Sequence, residues 1–580
     1  MEQSTSKGAV VAVHPDGIGR RLHGFALFSV LGALLLTLLL EALDQTIIST
    51  ALPRIISTLQ GFDRYTWSLT AYALASVTVI PIVGKLSDQF GRKWFLIIGS
   101  LIFLLGSVLS GAAQTMDQFI VFRALQGFGA GTGIALVFTV VGDIFPPSER
   151  GKWQGLFGSV YGIANLIGPT LGGWLTDNGL LMGDLVTETT RWRWVFYINM
   201  PIGFFALLGL LLYLPGNLSE RSAIHTGWAA IRRIDFLGAI LVAAATTCLL
   251  LGLTWGSNQT FEWGSVQVVG ILIAAGVLYL LFVVAERFVP DPILPLNLLR
   301  NRIFTVASLL SMLQMMVVIG LIIYLPLFLQ GILGESATNA GELITPLTLS
   351  SVVGAMVAGM LVSRLGRYVV ITIIAGLIMA LGVFLIAQMS PTTAIIEAVF
   401  FMIIAGLGMG PFWSILTLSV QNSLPRSQLG VGTGAVRFFG QLGGVLGIAI
   451  VGTVVNNTMS SNLTNNLPAD AVRYLPAQAL QFATNPQVLV NPAAQDKVIQ
   501  MVKSSAGPNT QQSLDLLNQV FASVKTSFAG ALQQGFFAVL IISVATILIC
   551  FLFKEAPRSG QNQPITAEAE DKAEVSPGLS

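Results

Sequence analysis

Two carboxylates lie three residues apart inside a long apolar run near the start of the chain. Glu41 and Asp44 follow Thr37 at helical spacing, and Gln45 comes next, so all four share one face of a helix. An ionisable side chain at membrane depth is costly and therefore marks a candidate functional site. A carboxylate among apolar helices holds its proton more tightly than in water, and a nearby cation promotes its release. Glu41 and Asp44 are therefore candidates for binding and releasing a proton.

Other apolar runs also contain charged residues. Arg123 and Gln126 lie on nearly the same face of the fourth run, and Glu342 lies in the tenth. Arg437 and Gln441 lie one turn apart in the thirteenth run. We expect an acid of the first run to pair with Arg123, in a balance that substrate or conformation shifts. Glu342 is a candidate second proton site. Alternatively, these charges form buried pairs that only hold helices together.

Polar, methionine and aromatic side chains of the same runs could line a central cavity. Methionine and aromatic faces suit varied apolar or cationic ligands. The alternative is that these side chains only pack helices against one another. The candidate lining residues are Gln45, Gln126, Asn165, Gln314, Met315, Tyr324, Trp413, Arg437 and Gln441.

The composition requires that most of the chain lies in lipid. Of its 580 residues, 54% are hydrophobic and 10% are charged, whereas a soluble protein carries about 25% charge. Apolar runs of about 20 residues predict an all-α integral membrane protein of about fourteen spans. Cys248 and Cys550 lie within such runs, so neither a disulfide nor a metal site is expected. The predicted spans are 24–48, 65–84, 95–114, 117–142, 152–176, 194–214, 234–255, 265–286, 303–330, 338–362, 368–389, 393–418, 430–455 and 530–553.

Loop charges predict the orientation. An even number of spans places both termini on one side, and the loops of that side hold most of the arginines and lysines. Both termini are therefore predicted to be cytoplasmic. Residues 1–23 are a polar segment, and the first apolar run is too long for a cleavable signal peptide. Residues 456–529 form a polar outward segment with amphipathic stretches, and the tail 554–580 is predicted to be disordered.

One loop sequence occurs twice. Residues 84–93 (GKLSDQFGRK) and 359–367 (GMLVSRLGR) both read Gly-x6-Gly-Arg, and both join two apolar runs. Two copies predict two related halves, 24–214 and 303–553, with two extra spans in the linker 215–302. Ser363 stands where the first copy has an aspartate, so the second loop should form a weaker contact with neighbouring helices than the first. The candidate gate residues of the first copy are Gly84, Asp88, Gly91 and Arg92.

The fifth run is rich in small residues. Small side chains permit close contact between helices, and a Gly-Pro pair in mid-span kinks a helix. Such a helix could seal the two halves against leakage, although ordinary packing would explain it too. The residues concerned are Gly162, Gly168, Pro169, Gly172 and Gly173.

These segments together resemble the fourteen-span drug:proton antiporter family of the major facilitator superfamily. Four stretches are similar to its motifs A, B, C and D, in the expected order. Two further stretches are similar to family sequences at the sixth span and at the twelfth and thirteenth. The resemblance implies two pseudo-symmetric six-helix bundles plus two extra helices. The stretches are 84–93, 123–131, 162–173 and 43–53 for motifs A to D, followed by 191–203 and 420–447.

The resemblance also implies a function. Members export amphipathic, often cationic, compounds in exchange for protons by alternating access. Asp44 and Arg123 would take part in coupling or substrate handling, and Asp88 and Arg92 would hold the cytoplasmic face closed. Position 440, where an arginine is expected, is Gly440, and Arg437 precedes it by one turn. Roles for Glu41 and Glu342 are inferred from burial alone.

We therefore expect a proton-coupled multidrug efflux antiporter of a bacterial cytoplasmic (inner) membrane. It would lie in the lipid bilayer and work as a monomer on small amphipathic or lipid-like substrates and protons, with no cofactor and no nucleic-acid partner. It would not be an enzyme, since no catalytic or phosphate-binding motif occurs. One alternative is a dedicated exporter of an endogenous lipid, siderophore or metabolite. Another is a non-transporting receptor or scaffold that uses residues 456–529.

Overall fold

The protein is all-helical where its structure is described. The computed structural model describes residues 24–59, 65–182, 186–216, 235–257, 261–335, 337–484, 488–489, 492–505 and 510–555. The only β-type pairing in these ranges is one isolated bridge between Met182 and Val186. The predicted amino-terminal segment 1–23 and nearly all of the predicted disordered tail, 556–580, lie outside the described residues.

The helices follow the predicted runs closely. A 3-10 turn (Glu188–Arg193) and a single helical turn (Trp194–Tyr197) lead into the sixth long helix. The helices are α1 (Phe25–Leu59), α2 (Tyr65–Phe90), α3 (Arg92–Ala112), α4 (Met116–Ile144), α5 (Pro147–Asn178), α6 (Asn199–Tyr213), α7 (Phe236–Ser257), α8 (Val266–Ala285), α9 (Arg302–Gly331), α10 (Ala337–Leu365), α11 (Tyr368–Ala387), α12 (Ile395–Ser423), α13 (Leu429–Asn466), α14 (Ala469–Tyr474), α15 (Ala477–Ala483), α16 (Pro492–Ser505) and α17 (Thr510–Cys550).

Thirteen helices of the described chain are long and apolar enough to cross a membrane. They match every predicted span except 152–176, which lies in α5. With 32 residues, α5 is about 48 Å long and exceeds the bilayer core of about 30 Å. Its first turns are polar and its middle is rich in glycine, which lowers its mean hydropathy. The multi-span helical fold is therefore confirmed, and a fourteenth span stays a prediction.

The two copies of the repeated loop form matching tight turns. Gly91 has φ of 95° between α2 and α3, and Gly366 has φ of 64° between α10 and α11. Both are the glycine that precedes arginine in the Gly-x6-Gly-Arg pattern. Glycine adopts this left-handed conformation without steric cost, which explains the residue type at both positions. We call the end of the bundle that carries these two turns the Gly91 face.

The apolar core divides along the chain. The largest cluster of buried apolar residues contains only residues from Leu298 to Phe553. A second cluster contains residues from Val30 to Phe282, together with Phe438 and Leu442 of α13. Each end of the chain therefore has its own core, and α13 contributes to both.

The ends of α13 and α17 opposite the Gly91 face extend well beyond a bilayer. With 38 and 41 residues, these helices are about 57 Å and about 62 Å long. Val498 of α16 and Leu517, Val520 and Val524 of α17 are buried there in the carboxy-terminal core. One of the predicted amphipathic stretches is thus the start of α17, which continues without a break into the last span. Part of the predicted outward segment, 456–466, instead continues α13.

The extra helices α7 and α8 are joined to the Gly91 face by polar contacts. Lys85, in the repeated loop sequence, lies 3.7 Å from Asp291, which follows α8. Glu286 immediately follows α8, is 3% exposed, and accepts a hydrogen bond from the Leu294 amide at 3.2 Å. The segment after α8 is therefore held against the loop that joins α2 to α3.

Glu286 should make the stability of the protein depend on pH. Burial raises the pKa of its carboxyl to about 7, against the opposing hydrogen bond from Leu294. A carboxyl with a higher pKa in the folded than in the unfolded state destabilises the fold as pH rises between the two values. The melting temperature in nanodiscs should therefore fall by a few degrees between pH 4.5 and pH 7. Glu286→Gln should reduce this fall, whereas Glu262→Gln, at an exposed acid, should leave it intact.

Candidate functional site

A buried polar network joins α1, α4 and α6. Arg123 donates from Nη1 to Asp44 Oδ2 at 2.6 Å, and both side chains are almost fully buried. Gln126 donates to Asp44 Oδ1 at 2.7 Å, and Asn199 donates to the same oxygen at 3.3 Å. The Arg123 guanidinium also lies 4.2 Å from the ring centre of Tyr72. Asp44 thus meets one cation and two amides, which satisfies a buried carboxylate well.

Glycines of α4 bring Arg123 to this position. A Cβ at Gly127 would overlap the Tyr72 carbonyl, and one at Gly131 would overlap the Ser76 carbonyl, both on α2. Small residues at such spacing let two membrane helices approach closely. The stretch 123–131 therefore positions its own arginine by allowing α4 to pack against α2.

Glu41 lies one turn from Asp44 in a different environment. It is 3% exposed, and its carboxyl lies against Gly133 of α4. Its Oε2 atom has no hydrogen-bond partner within the described part of the chain. The expected ion pair with Arg123 is therefore formed by Asp44 and not by Glu41. A buried carboxyl without a partner is much less costly in its protonated form.

Glu342 is exposed, whereas its predicted role as a proton site rested on burial. It lies near the start of α10 with an exposed side chain, far in sequence from the Gly91 face. Ala340 and Leu347 share the buried face of α10, and Glu342, two residues after Ala340, lies on the other face of the helix. A proton role for Glu342 stays a hypothesis without the support of burial.

A cavity of about 290 Å³ lies between the amino-terminal and carboxy-terminal helices. This is close to the lower end of the usual range for small-molecule sites, about 300–1,000 Å³. Its lining is mostly apolar, with amides and hydroxyls from α1, α9, α10 and α13. The predicted residues that the structure brings together here are Gln45, Gln314, Met315, Trp413, Arg437 and Gln441.

Three predicted lining residues have other outcomes. Gln126 is fully buried in the Asp44 network and is not among the lining residues. Tyr324 of α9 is also not among them, and its hydroxyl lies against Gly452 of α13. The side chain of Asn165 lies outside the described residues.

Arg437 is held at the side of the cavity nearer the Gly91 face. Its guanidinium carbon lies 3.8 Å from the ring centre of Phe138 and 5.5 Å from that of Trp413. Its Nη2 donates to Thr417 Oγ1 at 3.1 Å. Phe138 belongs to α4, whereas Trp413 and Thr417 belong to α12. The arginine therefore contacts both groups of helices.

The Gly91 face is closed by hydrogen bonds between distant helices. Asp88 at the end of α2 accepts from the amides of Gly430 and Val431 at 3.0 and 2.8 Å. Arg92 lies 2.5 Å from Asp88 and donates to Asp143 at 2.9 Å. A carboxylate at the first turn of α13 also interacts favourably with the helix dipole. Asp143, near the end of α4, is buried in this ion pair.

The predicted gate residues lie at this closure. A Cβ at Gly84 would lie 2.8 Å from the Gly430 carbonyl oxygen, so no larger residue fits there without movement. On the carboxy-terminal side, Gly359 meets Gly151 of α5 in a similarly close backbone contact. Among the described residues, Ser363 donates to the Gly359 carbonyl of its own helix, at 2.9 Å, and to no other group. The second copy of the loop thus lacks the cross-bundle carboxylate bond.

Other residues supply the cross-bundle bonds on that side, and the sequence analysis did not find them. Arg150 donates to the Gln421 carbonyl at 3.2 Å and to the Asn422 side chain at 3.1 Å. Gln154 donates to Gln421 Oε1 at 3.1 Å. Gln421 in turn donates to the Phe138 carbonyl at 2.9 Å. The sequence signal for these bonds was a glutamine at the polar end of each of two apolar runs, Gln154 and Gln421.

The glycines of α5 mark its contacts with both groups of helices. A Cβ at Gly162 would overlap Val352 of α10, and one at Gly168 would overlap Thr46 of α1. Thr46 also donates to the Ala164 carbonyl at 3.1 Å. The carbonyl of Gly172 accepts from Thr176 within α5, and the side chain of Pro169 lies outside the described residues. The predicted close packing is present, and the kink stays a prediction.

Gly168→Ala should damage the protein, whereas Gly173→Ala should not. The first change forces a methyl group into Thr46, and overpacking of this kind costs about 1–3 kcal/mol. The second adds a methyl group with no heavy atom within 4 Å. Melting temperatures and transport rates of the two variants, in the same lipid, check the difference. Equal effects would show that helix propensity, not the α1–α5 contact, determines the outcome.

The fold and the site define the class of protein. Apolar helices surround a central cavity that is closed at one end by bonds between two groups of helices, as in a membrane transporter. The chain belongs to the Major Facilitator Superfamily, whose profile matches residues 34–448. This superfamily consists of transporters, which confirms the expectation of a transporter and not an enzyme.

Similar proteins agree with the family inferred from the motifs. The chain is 37% identical to Multidrug resistance protein 3 of Bacillus subtilis, over 76% of this chain and 81% of that protein. It is 34% identical to the Multidrug transporter protein MdtP of the same organism, over 90% of this chain and 92% of that protein. The predicted resemblance to multidrug transporters of the superfamily is therefore confirmed.

Solved structures share the fold at low identity. The proton:xylose symporter XylE bound to 6-bromo-6-deoxy-D-glucose has a TM-score of 0.52 at 17% identity, covering 74% of this chain and 89% of that chain. The human organic anion transporter MFSD10 has a TM-score of 0.54 at 15% identity, covering 89% of this chain and 100% of that chain. At these identities the likeness shows the fold alone.

Proposed function

We propose that the chain is a proton-coupled antiporter that exports amphipathic compounds, cationic ones among them, by alternating access. The observation that carries the proposal is the buried Asp44–Arg123 ion pair one residue away from the cavity wall. Relatives named as multidrug transporters support a broad substrate range. Coupling to protons rests on the buried acids.

The order of residues along α1 links the proton site to the cavity. Asp44 belongs to the polar network, whereas Gln45 and Thr46 line the cavity. Thr46 also donates a hydrogen bond to the Ala164 carbonyl of α5, so a shift of α1 would move α5. A proton on Asp44 would weaken its bond to Arg123, and relaxation of this network would move the cavity wall. Glu41 is the second candidate acid of the same site.

Alternating access requires that the Gly91 face opens during the cycle. Asp88 and Arg92 would hold it closed while the compound leaves on the other side, and breaking these bonds would admit the next compound. In this proposal the two moving bodies are residues 24–214 and residues 303–553. The linker, residues 215–302, supplies the two extra helices. With α5 as a fourteenth span, both termini are cytoplasmic. Bacterial relatives support a bacterial inner membrane, and a monomer suffices.

Ethidium transport by inverted vesicles tests the proposal. Wild-type vesicles should accumulate ethidium when a proton gradient is imposed and stop when an uncoupler collapses it. Glu41→Gln and Glu342→Gln would show which further acid the coupling needs. Gradient-independent uptake would contradict proton coupling. No transport of ethidium by well-folded protein would favour a dedicated exporter of a lipid, siderophore or metabolite.

A further inference from the structure

The cavity wall carries positive charge. Among its described lining residues, Arg437 is the only one with an ionisable side chain. The other polar lining residues are neutral amides and hydroxyls, such as Gln314, Gln441 and Thr348. A charge in a site of low dielectric acts strongly on a bound ligand, because little water screens it. The described lining therefore favours an anionic group over a cationic one.

The three acids proposed above as proton sites do not reverse this charge. Asp44 is neutralised by Arg123 at 2.6 Å, and two amides complete its hydrogen bonds. Glu41 is 3% exposed, lies against Gly133, and is not part of the cavity wall. Glu342 is also not part of the wall. Carboxylates suited to a cationic drug thus lie outside the described cavity lining.

Arg437 is fixed where a ligand could use it. The rings of Phe138 and Trp413 and the Thr417 hydroxyl hold its guanidinium from two groups of helices. Such support limits the rotamers of the side chain, so little entropy is lost when an oxyanion binds. Guanidinium groups bind carboxylate, sulfonate and phosphate oxygens through paired hydrogen bonds.

The rest of the cavity suits an apolar body. Its apolar lining residues include Met315, Ile319 and Ile322 of α9, Val352 of α10 and Met409 of α12. Methionine adapts its shape to varied apolar ligands. The polar and apolar parts of the wall therefore fit a molecule with one acidic group and a hydrophobic body.

We propose that the cavity binds amphipathic compounds that carry an acidic group, with that group on Arg437. This inference rests on the proposed export function and names a substrate class for it. It departs from the cationic compounds that the family resemblance implies. Cations would then be weaker substrates than anions of the same size.

Two dyes with the same ring skeleton test the assignment. 8-Anilinonaphthalene-1-sulfonate carries a sulfonate, and N-phenyl-1-naphthylamine is its neutral counterpart. Both are titrated by fluorescence into purified protein in nanodiscs, with empty nanodiscs subtracted. Wild-type protein should prefer the sulfonate, and Arg437→Gln should lower that preference roughly tenfold, as for a lost charge-assisted hydrogen bond. Arg437→Lys should give an intermediate preference, because it keeps the charge without the paired donors.

The control is Gln441→Ala, one turn along the same helix and also on the cavity wall. It should change the affinity for both dyes by similar factors. An unchanged preference in Arg437→Gln, with a normal size-exclusion profile, would overturn the proposal. Gradient-driven transport of ethidium and of the sulfonate dye by the wild type is measured separately. Absence of transport for both would count against the export function, whereas the dye preference would still decide the role of Arg437.

Discussion

Asp44→Asn is expected to abolish gradient-driven export and to destabilise the protein. The change keeps the shape of the side chain but removes the charge that balances Arg123 at 2.6 Å. Removing one partner of a buried pair costs about 3–5 kcal/mol, because the other charge is left uncompensated. Asparagine also binds no proton, so export driven by the gradient should fall roughly 100-fold, the scale of a strong coupling. Ethidium uptake and thermal unfolding of the same preparation measure both effects.

The double variant Asp44→Asn with Arg123→Gln separates stability from coupling. Removing both charges should restore much of the stability, since no buried charge is left without a partner. Transport should stay low, because the proton site is still absent. Asp117→Asn is the control, at an exposed acid in the first turn of α4. Full gradient-driven export by Asp44→Asn would show that the pair is structural and that protons bind elsewhere.

Asp88→Asn is expected to open the Gly91 face. Its carboxylate accepts two backbone amides of α13 and pairs with Arg92. An asparagine has one acceptor oxygen, so its amide group would face one of the two backbone donors. Each charge-assisted bond contributes about 1.5–3 kcal/mol. Losing about 3 kcal/mol would shift the balance of conformations by roughly 100-fold.

Spin labels on the two sides of this face measure the shift. In a background without Cys248 and Cys550, Glu149→Cys and Arg367→Cys place labels at exposed positions of α5 and of the α10–α11 turn. Asp88→Asn should add a population with a longer label distance and slow export. Ser363→Ala is the matched control in the second copy of the loop, since the described bond of Ser363 lies within α10. Equal distance distributions in all three proteins would assign the closure to Arg150, Gln154 and Gln421 instead.

Local patterns along the chain were sufficient for the fold class and for the first-half motifs. Hydrophobic runs of membrane length have few other structural solutions, so the helices followed from composition and length. The glycine of each Gly-Arg pair marked a turn because only glycine adopts its conformation cheaply, as Gly91 and Gly366 show. The pairing of a span 1 acid with Arg123 followed from the rarity of buried charge.

Choices between near-equivalent residues depended on contacts between distant helices. Helical periodicity puts Glu41 and Asp44 on one face, but the approach of α4 and α6 gives only Asp44 its partners. The same reason separates Gln126 from the cavity and places Glu342 on an exposed face of α10. A sequence pattern predicts which residues share one face of a helix. Which other helix that face contacts depends on packing between segments hundreds of residues apart. The cavity wall, its charge at Arg437 and the bonds of Gln421 were therefore determined only by the tertiary structure.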